Sequence, residues 1–180
     1  MASILKVDKI RVSGGDSDSI SFDGSGNVTF NKPVGKTSFV LVYAQGSSSY
    51  NTVSTGSYLP LNAVYQSKGT GAADYNTTTY KYTAPVNGIY NISLGGITNS
   101  SSTSSHWNLD VDGTQQYVFT WSASREYNST VNHYLNAGQV VGFKSGNTSG
   151  YYRHSDSLPS SSHYTYASFH LVQEIISWVD

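Results

Sequence analysis

No long stretch of this sequence keeps a helical period. Apolar residues come instead in short runs that alternate with polar ones, and Gly, Asn, Asp or Pro punctuates them every few residues. In Ile89–Leu94, Tyr90, Ile92 and Leu94 fall on one face and Asn91 and Ser93 on the other, the period-two pattern of a half-buried strand. Trp107–Val111 alternates in the same way and runs into Asp112-Gly113, a two-residue hairpin signal. Further runs are Ser38–Ala44, Tyr80–Thr83 before the turn Ala84–Gly88, Tyr117–Trp121, His133–Leu135 before the turn Asn136-Ala137-Gly138, and Val140–Phe143. The last run, Tyr166–Ile176, puts Ala167, Phe169 and Leu171 on one face, with His170 expected between core residues. A helical reading exists only for Val172–Val179, and its β-branched residues oppose it. Gly46–Tyr58 and Thr98–His106 read as exposed loops. Many short strands joined by turns predict an all-β sandwich or jelly roll.

Residues 1–36 differ from the rest. Ser3–Val12 reads as a strand that Ser13-Gly14-Gly15 breaks. Ser19–Phe22 and Val28–Phe30 alternate apolar with polar residues around the Gly/Asn/Asp-rich Asp23–Asn27, which is a hairpin signature. A lone hairpin is marginal in water, and packing three copies around an axis would bury its apolar face. Asn31–Gly35 reads as a linker. The expected organisation is a short β-rich stalk or attachment segment over 1–36 and a head over 37–180.

Composition limits the partners. Charged residues make up 12% of the chain and the net charge is −1, which argues against a nucleic acid held by phosphate contacts. It also removes a polybasic route to a membrane surface, and no run approaches the roughly 20 apolar residues of a membrane helix. There is no cysteine, hence no disulfide, thiol nucleophile or thiolate metal site. Fifteen tyrosines, with abundant Ser, Thr, Asn and Gly, suit β-structure and a rigid, hydrogen-bonding contact surface. Lys6, Asp8, Lys9 and Arg11 interrupt any apolar leader at the start. A composition suited to an exposed setting without an export signal fits a virion component released by lysis.

Two resemblances sharpen this. Tyr82-Thr83-Ala84-Pro85-Val86-Asn87-Gly88-Ile89-Tyr90 resembles the aromatic-Thr-Ala-Pro-x-x-Gly-x-Tyr signature of the globular head of complement C1q, in the C1q/tumour-necrosis-factor superfamily of trimeric jelly rolls. Leu109–Gly113, Leu135–Val141, Gly150–Tyr152 and Ala167–Val172 are similar to the pieces that follow it, in the same order. The resemblance covers about 37–173 and implies a homotrimer, with Tyr90 and Phe169 as candidates for the inter-subunit contacts. Gln139 stands where the family usually has Asp, which undercuts any carry-over of calcium sites. No Gly-X-Y period marks a collagen stalk. In front of the head, Ile4–Ile10, Ile20–Asp23 and Ser25–Phe30 resemble the opening of bacteriophage structural proteins, especially of cyanophage type. That implies attachment of residues 1–36 to another virion protein.

The residues offer little chemistry for catalysis. Of the eleven acids, nine are Asp. Glycan cleavage uses paired acids, and Asp110 and Asp112 stand two apart and would share a face of one strand. The favoured reading is that Asp112 is a turn residue and Asp110 is solvated. Asp16, Asp18 and Asp23 lack the Glu of a calcium loop. The five histidines show no zinc spacing, and no Gly-x-Ser-x-Gly elbow or phosphate loop occurs. No enzyme activity, metal or cofactor is expected. For receptor contact the candidates are Tyr151, Tyr152, Arg153 and His154, whose rings stack on sugars and whose guanidinium holds acidic groups. Trp121 is a second candidate. Tyr151 and Tyr152 have a competing reading as strand and trimer-interface residues. Two roles follow from the whole: a trimeric tail fibre or receptor-binding head recognising a host surface glycan or lipopolysaccharide, or a trimeric capsid decoration (cement) protein.

Overall fold

The computed structural model describes residues 9–11, 18–22, 28–30, 36–46, 50–97, 105–121, 126–146, 150–153 and 165–175. The chain divides into two compact units, Met1–Lys36 and Thr37–Asp180. In the first, β1 (Lys9–Arg11), β2 (Asp18–Phe22) and β3 (Val28–Phe30) form an antiparallel sheet in that order. Ile20 pairs with Phe30 and Phe22 with Val28, the register that the alternation in this hairpin predicts. Of the strand expected over Ser3–Val12, only Lys9–Arg11 lies within the described residues.

The second unit is a sandwich of two five-stranded antiparallel sheets. Its strands are β4 (Ser38–Tyr43), β5 (Tyr50–Val53), β6 (Ala63–Gly69), β7 (Tyr75–Asn76), β8 (Lys81–Thr83), β9 (Gly88–Ile97), β10 (Ser105–Val111), β11 (Thr114–Trp121), β12 (Glu126–Leu135), β13 (Val140–Ser145), β14 (Gly150–Arg153) and β15 (Thr165–Glu174). One sheet runs β12-β9-β15-β4-β6 and the other β11-β10-β13-β8-β7, while β14 and β5 pair by themselves. A single helical turn, α1 (Gly71–Asp74), links β6 to β7. The architecture is the all-β jelly roll that the sequence predicts.

Alternation explains the core. Tyr90, Ile92 and Leu94 of β9, Ala167, Phe169 and Leu171 of β15, and Val40 and Val42 of β4 all point between the sheets. Trp107, Leu109, Tyr82 and Phe143 meet them from the other side. Tyr82 stacks on Phe169 with centroids 4.9 Å apart and planes 5° from parallel. The Tyr90 hydroxyl donates to the Val86 carbonyl at 2.8 Å, and burial pushes its phenol up to about 12. Gly88 must be glycine, because a Cβ there would lie 2.5 Å from the Gln173 carbonyl oxygen.

One end of the sandwich is closed by short turns. Asp112 and Gly113 both have positive φ (50° and 87°), as a type I′ hairpin requires. Asp112 accepts the Val140 amide on Oδ1 and Gln139 Nε2 on Oδ2. Gln139 Oε1 also accepts the Asn136 amide, so this side chain ties two turns together. The backbone of Asp112 is in the turn, so Asp110 and Asp112 do not share a strand face. Asp110 is not solvated either, since it is 3% exposed. It accepts the Tyr58 hydroxyl at 2.6 Å, Lys144 Nζ at 2.9 Å and the Gly113 amide at 3.1 Å. Burial alone would raise its carboxyl, but these partners outweigh burial and hold it below its ordinary value.

Two other expectations need correction. Part of Gly46–Tyr58 is strand rather than loop, because β5 pairs with β14 and buries Val53. His170 is exposed on the outer face rather than between core residues, with its ring edge-on to Phe39 at 5.7 Å. Val172 belongs to strand β15, as the last run predicts, with a register shift between Leu171 and Gln173.

We expect Phe169→Ala to destabilise the head by about 3–5 kcal/mol, read as a lower urea midpoint at fixed protein concentration. Because the folded Asp110 carboxyl titrates below its unfolded value of 3.8, the unfolded chain binds more protons in acid. Its contribution is therefore complete above that value and lost as pH falls through the folded one. Asp110→Asn should flatten this acid limb in urea midpoints measured down to about pH 3.

Candidate self-association surface

The first sheet turns its second face outward, and the register sets what that face carries. Directly opposed residues share a face. One row is Tyr43, Tyr166, Gly95 and Asn128, the next Leu41, Ser168, Ser93 and Thr130, and the next Phe39, His170, Asn91 and Asn132. The middle of this face is polar and partly hydrogen-bonded within the chain. Asn91 Nδ2 donates to Asn132 Oδ1 at 2.8 Å, and the Ser93 and Thr130 hydroxyls lie 2.8 Å apart.

Toward β6 the face becomes apolar and concave. Leu41, Tyr43, Tyr65 and Tyr166 line an open cavity of about 330 Å³. Two backbone features shape it. The β4–β6 register shifts between Leu41 and Val42, so Tyr65 occupies the irregular position and is 43% exposed. Gly95 lies opposite Tyr166, and a Cβ there would come within 2.4 Å of the Tyr166 ring. The missing side chain lets that ring lie across β9.

The opposite edge of the sandwich carries exposed apolar side chains. β12 and β11 are edge strands of their sheets, and they approach where the His133 ring meets the Tyr117 ring edge-on at 5.6 Å. Tyr117, Val118 and Tyr134 are large side chains left 39%, 51% and 44% exposed. Among the described residues, β11, β12 and the outer face present no carboxylate beside this ridge; Glu126 begins β12 at its far end. Among the described residues, three of the seven large hydrophobics left exposed lie on these two facing strand edges, which makes them a candidate interaction surface.

With this geometry in hand, the likeness to other proteins lies in the fold. No protein-family model and no curated protein matches the chain. Among solved structures, the Eiger TNF of S. frugiperda is similar with a TM-score of 0.57 at 10% identity, over 81% of this chain and 98% of that one. Murine APRIL at pH 5.0 has a TM-score of 0.53 at 12% identity, over 76% and 100%. The globular domain of zebrafish complement 1qA has 0.50 at 14% identity, over 78% and 100%. The fold is the C1q/TNF jelly roll.

Within that fold the residues singled out in the sequence are placed as follows. Tyr90 and Phe169, candidates for inter-subunit contact, are both at most 1% exposed and face the opposite sheet. They build the core and have no outward surface. The alternation that identified them as a pair of aromatic positions also points them inward. Tyr152 is buried as well, which favours the strand reading over receptor contact. Tyr151 and Arg153 belong to β14 and Trp121 ends β11, but their side chains, and all of His154, lie outside the described residues. Sequence reading missed the cavity. Tyr65 sits in an edge strand whose residues are nearly all exposed, so no alternation drew attention to it.

Proposed function

We propose that the chain is a bacteriophage virion structural protein without catalytic activity. Three copies of the jelly-roll head associate, residues 1–36 attach them to another virion protein, and the trimer acts as a tail-fibre or receptor-binding head for a host surface glycan or lipopolysaccharide. The observation that carries the assembly is the pairing of a cavity beside β6 with a ridge on β12 and β11. These are different surfaces on opposite edges of one sandwich, which suits a head-to-tail contact, and such a contact forms a ring when its rotation closes. The C1q/TNF resemblance implies that the ring has three members.

The polarity of the head supports display. The chain enters the sandwich at Thr37, beside the start of β4. That start lies toward the short-turn end, because Phe39 pairs with His170 and Tyr43 with Tyr166. The strand ends Ile97, Ser105, Trp121, Glu126, Ser145 and Thr165 lie at the opposite end. The segments that join them are rich in Ser, Thr and Asn, with Thr98–Ser104 made of nothing else. Such residues offer adaptable hydrogen bonds of the kind that antibody loops use. A cement role at the capsid is the second reading, favoured by the length of 180 residues, which leaves little shaft.

Light scattering of the full chain should give the mass of three 19.5 kDa chains; a monomer would remove the proposal. Val118→Asp and Tyr65→Asp each place a charge in the contact and should weaken association at least about tenfold while leaving the β circular dichroism unchanged. Copy number in purified virions separates the two roles. A few trimers support the fibre, whereas several hundred chains would sink it in favour of cement. Failure of the trimer to bind susceptible cells would count against glycan recognition.

A further inference from the structure

We propose that self-association of this head is acid-labile and that His133 is the group that releases it. The inference rests on the assembly reading above and adds its regulation.

His133 stands among the exposed side chains of the ridge. It pairs across β12–β9 with Tyr90, a core residue, so its side chain starts inward and emerges between the two sheet edges, where it meets Tyr117. Protonation there would need a carboxylate, and the surroundings supply none. On β12 the residues around it are Asn132 and Tyr134; β11 offers Gln115, Gln116, Tyr117 and Val118; β9 offers Ile89, Tyr90 and Asn91. Asp110 of β10 points to the other side of its sheet, where Tyr58 and Lys144 hold it. Glu126 starts β12, seven positions away, and Glu174 sits opposite Gly88 at the short-turn end. Desolvation already lowers the His133 imidazole from its ordinary 6.5 in the single chain.

Covering the ridge with a second copy removes more water from the same ring. The receiving face carries Phe39, Leu41, Tyr43, Tyr65, Tyr166, His170 and, at its rim, Lys68, with no carboxylate among the described residues. The rings offer an imidazolium some cation–π attraction, but it loses its water with no carboxylate to pair with and meets the like charge of Lys68. The sign follows: a histidine whose value is lowered on burial binds fewer protons when buried than when free. Association is complete above its free value and is lost as pH falls through and below it.

The test is the mass of the full chain by analytical ultracentrifugation between about pH 8 and about pH 5, for wild type and His133→Gln, with circular dichroism to follow the fold. We expect the wild type to be an oligomer at the upper pH and to dissociate, still folded, at the lower one, while His133→Gln stays associated throughout. A wild type that remains an oligomer in acid overturns acid release and leaves the assembly reading intact. A monomer at the upper pH overturns both. Dissociation of His133→Gln in acid assigns the effect to another group and overturns the role of His133. If His133→Gln fails to associate at the upper pH, His133→Phe keeps a neutral ring against Tyr117 and is scored in the same way.

Discussion

The stack of Tyr82 on Phe169 joins the two sheets at the point where most else is anchored. Tyr82 comes from β8 and Phe169 from β15, so the contact ties the sheets together directly. Tyr75, Tyr90 and Phe143 lie around it within about 6 Å of one of its rings. The Tyr82 hydroxyl is fixed in turn. Ser38 gives its one hydrogen to Asp74 at 2.7 Å, so Tyr82 donates to Ser38 Oγ at 2.6 Å. Thr70 donates to the same Asp74 oxygen. One buried network thus locks the first residue of β4, the helical turn and β8 to the aromatic centre. The outer face rests on that support, because the outward residues Phe39, Leu41, Ser168 and His170 are each flanked by inward ones held in the core.

The motif that carried the C1q resemblance is legible in these terms. Tyr82, Val86, Gly88 and Tyr90 are needed for packing: a ring to stack, a carbonyl to accept the Tyr90 hydroxyl, and a glycine where β15 comes too close for a Cβ. The same reading explains why Tyr90 and Phe169, expected at subunit contacts, lie inside the head. A motif of core residues reports the fold, and its aromatics are spent inside it. The proposed contact surface uses residues whose neighbours give no pattern, such as Tyr65 at an irregular position of an edge strand and Val118 within the run of exposed residues from Asp112.

What alternation does show, it shows where one face is dry and the other wet. β9, β10 and β15 were plain for that reason. β6 escaped because its residues are exposed on both faces at the sheet edge, and β5 because its partner β14 lies about a hundred residues away in sequence. Asp110 was read as solvated since an Asp before a turn usually is. Its partners, Tyr58 and Lys144, come from distant segments, and Lys144 also stands 4.9 Å from the Tyr58 ring centre. Only the fold brings them together.

The low charge of the chain and the polar band on its outer face belong to one argument. Burying a polar group costs little when its hydrogen bonds are already made, and the pairs Asn91–Asn132 and Ser93–Thr130 complete part of theirs within one subunit. A band of charged side chains would have to be desolvated at each association, at a far greater cost. Neutral, paired side chains between an aromatic cavity and an aromatic ridge let the face be covered without new ion pairs. They also leave nothing there to neutralise a proton. In the proposed assembly, a head that associates through uncharged polar groups is therefore sensitive to the one kind of side chain on its ridge that can acquire a charge near neutral pH.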